Sequence, residues 1–126
     1  MQSFLLVGAG GAIGAMSRYG IGVLFGKMLS TSFPIATIVI NILGSLLMGL
    51  LIGLLAYYTP SWQPQARLFL AVGVLGGFTT FSAFSLDVIS LIERGQMGFA
   101  ISYALASVFL SILALFAGLL IIRGIV

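Results

Sequence analysis

The residues best suited to chemistry in this sequence carry hydroxyls, amides and aromatic rings; titratable groups are scarce. The segment Gly76-Gly77-Phe78-Thr79-Thr80-Phe81-Ser82-Ala83-Phe84-Ser85 places two glycines before two threonines and sets two phenylalanines three residues apart. On a helix Phe81 and Phe84 share a face, with Thr79 and Ser82 as a polar edge beside it. Thr37, Asn41 and Ser45 recur at i, i+4 and i+8, and Tyr103, Ser107 and Ser111 repeat that spacing. Either stripe alone is ordinary hydrogen-bonding glue between helices. Two stripes beside a pair of phenylalanines point to the lining of a pore. Neutral donors suit an anion passing in single file, because a buried Lys or Arg would bind it too tightly to release. Ring edges carry the positive part of the aromatic quadrupole, so Phe81 and Phe84 turned edge-on can face the same ion.

Other chemistries lack their residues. Histidine and cysteine are absent, which removes the commonest general base, the commonest transition-metal ligand, and thiolate and disulfide chemistry. An enzyme is not expected. The run Gly8-Ala9-Gly10-Gly11-Ala12-Ile13-Gly14 resembles a dinucleotide fingerprint, but Ile13 stands where the last glycine is required and no ribose-binding acid follows. Five cations against two anions give a net charge of +3 with no basic run, so nucleic acid is no partner.

The elements that must position these residues are membrane spans. Of 126 residues, 61% are hydrophobic and 6% charged, and the mean hydropathy is +1.30. Seven charges cannot cover a water-facing surface, so the chain is a single all-α integral membrane domain, residues 1–126. Apolar stretches run over residues 4–25, 34–58, 68–92 and 99–122, each about 20 to 25 residues and long enough for a hydrocarbon core about 30 Å thick. No basic region precedes the first, so it is read as a retained helix. The short separators 26–34, 59–64 and 93–96 make successive spans antiparallel. Tyr57, Tyr58 and Trp62 cluster at one boundary as interfacial anchors. Small residues at helical spacing, Gly10 with Gly14, Gly22 with Gly26, and Ser45 with Gly49 and Gly53, read as close helix contacts.

Two features bear on assembly. Gly76-Gly77 followed by Thr79-Thr80 is a poor helix former about ten residues into the third span, near the bilayer midplane. Either the helix breaks there, freeing carbonyls that must line a cavity or bind a cation, or it continues with the threonines bonded back to the preceding turn. Arg67 and Arg123 flank one side of the membrane, Lys27 and Arg94 the other. The positive-inside rule therefore scarcely chooses an orientation. A chain that inserts both ways can form an antiparallel dimer about a twofold axis in the membrane plane.

With G-A-x-x-R-Y at 14–19, T-x-x-x-N at 37–41 and G-G-F-T-T-F-S-A-F-S at 76–85, the whole chain resembles the Fluc fluoride channels, also called CrcB proteins. The resemblance implies a passive fluoride channel of the bacterial inner membrane, a dual-topology antiparallel homodimer with two pores. Carried over by motif, Phe81 and Phe84 would line the pore and contact fluoride, and Asn41 would be its amide donor. Thr37 and Ser82 join these pore residues. Tyr103, Ser107 and Ser111 match the polar track of the fourth helix, which departs from the family where Leu115 replaces a frequent threonine. Gly76 and Thr79 would give backbone carbonyls to a structural sodium ion at the dimer interface. Arg18 matches the first-helix arginine, expected at an entrance vestibule where a cation raises the local anion concentration, with Asp87 as its partner. The competing readings are a proton-coupled multidrug exporter, which needs an embedded carboxylate that the first helix lacks, and a non-transporting assembly protein.

Overall fold

Side chains that are apolar on nearly every face leave the backbone one way to satisfy itself in lipid, which is helix. Helix runs through most of the computed structural model, whose described residues are 1–29 and 33–125. Residues 30–32, inside the first separator, and residue 126 lie outside the described residues. Helix α1 is Gln2–Met28 and α2 is Ile35–Tyr58. The third span, Gln63–Glu93, comprises α3 (residues 63–78) and α4 (Phe81–Glu93), and α5 is Met97–Ile125. All four spans are long and apolar enough to cross a membrane.

The first, third and fourth spans outrun their apolar stretches, the third most of all, starting at Gln63 where hydropathy suggested Leu68, whereas α2 begins one residue inside its stretch. Pro64 sits in the first turn of α3, where the N–H that it lacks would have no partner in any case. The Gln63 side chain donates from Nε2 to the Leu55 carbonyl (2.8 Å), tying the start of α3 to the end of α2. Helix α2 stops on Thr59, left-handed at φ 40° and bonded to the Leu55 carbonyl (3.0 Å). Helix α4 stops on Gly95, φ 77°, with the Gln96 amide reaching the Leu91 carbonyl (2.9 Å), the six-to-one bond of a Schellman end.

Glycine sets the packing. A Cβ built on Gly10 or Gly14 would collide with the Phe69 or Val74 carbonyl, and one on Gly77 would lie 2.6 Å from the Gly11 carbonyl oxygen. The backbones of α1 and α3 therefore touch, a spacing that favours dispersion and Cα–H···O contacts. Gly49 and Gly118 bring α2 and α5 together in the same way. The pair Gly22 and Gly26 behaves differently: a Cβ at either meets open space, because spacing reports a shared face and not what lies opposite it.

Two departures from regular helix lie in the third span. Arg67–Leu75 is wound as a π-helix, which nothing in its composition announces. Further on, helical dihedrals lapse at Thr79 (φ −78°, ψ 158°) and Thr80 (φ −151°, ψ 117°), both extended, before α4 begins at Phe81. Thr79 also bonds back to the preceding turn, its Oγ1 donating to the Leu75 carbonyl at 3.0 Å. Beyond this point Leu91, Ala100 and Tyr103 form the buried core between α4 and α5, with Phe33, Ile38, Phe84 and Val88 against it.

Candidate anion pathway

Extended backbone inside an apolar span must find new partners, and here α2 supplies them. Asn41 Oδ1 accepts from the Thr80 amide (2.8 Å) and Asn41 Nδ2 donates to the Thr80 carbonyl (3.1 Å). One side-chain amide thus replaces both helical bonds of one residue. One turn on, Gly44 leaves room for the Thr79 methyl group and the Phe78 ring. Thr80 caps α4, its Oγ1 accepting from the Ala83 amide (3.1 Å) and lying 3.3 Å from Ser82 Oγ.

These bonds redirect donors. In a continuous helix the Thr80 amide would serve the Gly76 carbonyl and the Ala83 amide the Thr79 carbonyl. Both amides are taken by side chains, so the two carbonyls lose their helical donors. The Gly77 carbonyl accepts instead from Arg18 Nε (3.1 Å). The expected pairing of Arg18 with Asp87 is therefore not formed. The guanidinium goes to the nearer freed carbonyl, and Asp87 Oδ2 accepts from the Tyr103 hydroxyl (3.0 Å).

The expected lining residues divide between two cavities. One, of about 310 Å³, gathers Asn41, Thr79, Phe81, Phe84, Ser107 and Ser111, with Gly44, Ser45, Met48, Thr80, Val108 and Leu115 completing it. The other, of about 330 Å³, is lined by Arg18, Thr37 and Thr80 with neighbours from α1, α2 and α4. Thr80 borders both. Gly76, Ser82 and Tyr103 line neither cavity. Tyr103 is fully buried, its ring stacked on Phe84 (centroids 5.3 Å, 30°) and edge-on to Phe33 (5.6 Å, 85°). Phe81 contacts Phe84 (5.5 Å, 49°) yet is 76% exposed.

In the first cavity the two serine hydroxyls of α5 are idle. Ser107 is 5% exposed, and neither Ser107 Oγ nor Ser111 Oγ, both buried, has a hydrogen-bond partner. A buried hydroxyl without a partner costs about 1–3 kcal/mol, and two of them along one wall are donors available to whatever occupies the cavity. Nearby rings and one amide N–H left on Asn41 face the same space, and no charged side chain lines it. Such a wall can strip water from a small anion and replace it with weak neutral contacts.

The residues that motif reading missed are Thr80 and Gly44. Both belong to the contact between α2 and the extended segment, which their own types do not announce. Replacing Asn41 with leucine, close in size, should remove both bonds to Thr80 and leave a partly buried N–H and C=O unpaired. A loss of about 2–5 kcal/mol is expected, read as a lower midpoint in detergent unfolding; an unchanged midpoint would show that the amide does not hold the segment.

Residues 5–119 match the family described as CrcB-like protein, Camphor Resistance (CrcB). The chain is 54% identical over 125 residues to the fluoride-specific ion channel FluC of Rhodospirillum centenum, covering 98% of this chain and 97% of that one. It is 54% identical over 124 residues to FluC of Rhodopseudomonas palustris, covering 98% and 99%. FluC of Rhizobium meliloti is 47% identical over 126 residues, the full length of both. With a family match over most of its length and relatives this similar from end to end, the chain belongs to the CrcB family.

Proposed function

We propose that this chain forms a passive, fluoride-selective channel of the bacterial cell membrane. The observation that carries this reading is the cavity between α2, α4 and α5, where buried, unpartnered Ser107 and Ser111 hydroxyls face the Phe81 and Phe84 rings and the Asn41 amide. The names of the relatives accord with it. Fluoride is the halide that hydroxyls and amides solvate best for its size, and a wall without fixed charge lets it leave again. In the second cavity Arg18 attracts anions from water while its Nε stays anchored to Gly77.

Two copies in antiparallel orientation make the functional unit, with one pore along each side. The balanced flanking cations and the exposure of Phe81 in the middle of a span both favour a partner there. In this arrangement the third spans are pairs of half-helices that meet near the bilayer midplane. Residues Gly76 and Thr79 of each copy would hold a sodium ion at the interface, because their carbonyls have lost their helical donors and hard oxygen ligands suit a hard cation. Bound there, a sodium ion would act structurally, by offsetting the negative ends of those carbonyl dipoles.

No energy source is needed. Hydrogen fluoride crosses lipid uncharged and dissociates in the less acidic cytoplasm, and an inside-negative potential drives the anion out with about 2.3 kcal/mol per 100 mV. Purified protein in liposomes loaded with potassium fluoride should release fluoride rapidly when valinomycin carries the compensating potassium, and should retain chloride under the same conditions. Absence of fluoride release, or equal passage of chloride, would overturn the proposal.

A further inference from the structure

Ser45 lies in the polar stripe of α2 and also begins the small-residue run that continues through Gly49 and Gly53. Its type alone leaves two roles open, a spacer for close packing or a donor to the pathway. Register separates them. Gly49 lies against Leu115 and Gly118, and Gly53 against Ile122, so α2 and α5 run in the same direction with matched turns. One turn back from Gly49, Ser45 stands level with Ser111, and a further turn back Asn41 stands level with Ser107. All four border the same cavity of about 310 Å³.

The state of the hydroxyl points the same way. A serine inside a span usually returns its proton to the carbonyl four residues earlier, as Ser17 does to Ile13 (2.8 Å) and Ser85 to Phe81 (3.0 Å). Ser45 makes no hydrogen bond among the described residues. Ser107 and Ser111, across the cavity, have none either. Further along, the walls become apolar, with Met48 on α2 and Leu115 on α5. An ion that has passed Asn41 and Ser107 therefore meets two more hydroxyls, one from each helix, before the lining offers no donor.

We propose that Ser45 is a direct ligand of the permeating anion, paired with Ser111 across the cavity as the last polar level before Met48 and Leu115. This rests on the reading of the chain as a fluoride channel and adds to it a donor from α2. The ion exchanges the Asn41–Ser107 level for the Ser45–Ser111 level without ever being held by α5 alone.

Liposome efflux of fluoride from wild type, Ser45→Ala and Ser45→Thr tests it. Wild-type efflux establishes the channel independently, so its failure sinks the parent reading and not this one. Alanine keeps the small volume and removes the hydroxyl; threonine keeps the hydroxyl and adds a methyl group. The expected result is efflux reduced about tenfold or more by alanine, the scale of one hydrogen bond to an ion, and restored to within a few-fold of wild type by threonine. Wild-type efflux in Ser45→Ala overturns the proposal, and so does equal slowing by both variants, which would mark Ser45 as a spacer. If the alanine variant gives no folded protein, Ser45→Cys, nearly the same shape with a weaker donor, takes its place: slowed efflux supports the ligand and wild-type efflux overturns it. Ser17→Ala, outside the cavity, is the unchanged control.

Discussion

Replacing Phe81 with isoleucine is expected to slow fluoride efflux from liposomes about a hundredfold, equivalent to about 3 kcal/mol at about 1.4 kcal/mol per tenfold, with little loss of folded protein. The two halves of this expectation come from the same observation. Phe81 is 76% exposed and touches Phe84 at its ring, so it adds little to the packing of its own chain. Isoleucine remains apolar and is tolerated in the first turn of α4. What it lacks is the ring quadrupole, whose positive edge is the only feature of Phe81 that favours an anion. Wild-type efflux in this variant would remove the rings from the mechanism and leave the hydroxyl wall to act alone. The matching change at Phe84 is a poorer test, because that ring also stacks on Tyr103.

The second large effect concerns stability. Replacing Gly14 with leucine is expected to destabilise the fold by about 3 kcal/mol or more, the upper range for overpacking, and in practice to abolish recovery of monodisperse protein from detergent. A Cβ at Gly14 falls on the Val74 carbonyl and 2.7 Å from the Phe78 amide nitrogen. These are backbone atoms, which cannot rotate away as a side chain would. Helix α1 must withdraw from α3, and the contacts at Gly10 and Gly77 are lost with it. Gly8→Ala, where a Cβ meets nothing within 4 Å, should leave recovery unchanged. Equal recovery of the Gly14 variant would show that α1 and α3 are held apart in the membrane.

Hydropathy alone made the four spans legible, since their lengths follow from the thickness of lipid. It missed the start of α3 because Pro64 reads as a terminator, although in a first turn it is harmless. The polar stripes were legible as stripes, and the structure brings Asn41, Ser107 and Ser111 to one cavity while Thr37 faces another. The link between Asn41 and Thr80 was not legible. It joins residues 39 apart in sequence, and an asparagine in a polar stripe carries no sign of whether it faces solvent, ligand or backbone. Arg18 shows the same limit from the side of charge. Its obvious partner by sign is Asp87, yet a freed carbonyl lies closer, and only the path of the third span reveals that. The spacing of Gly22 and Gly26 matched that of Gly10 and Gly14, but only the second pair has a helix opposite.

The pairing of helices described above also bears on biosynthesis. Helix α1 has its glycine contacts with α3, and α2 has its own with α5. Neither pair consists of neighbours in sequence. As spans leave the ribosome in order, α1 and α2 must wait in the bilayer without their principal partners, and α2 waits until α5 has been made. Their hydrophobicity, with mean hydropathies of 1.2 and 2.5, is what keeps them in place during that interval. Insertion and tertiary assembly are thus separate stages for this protein, and the cavity wall built from α2 and α5 comes into being only once α5 has been made.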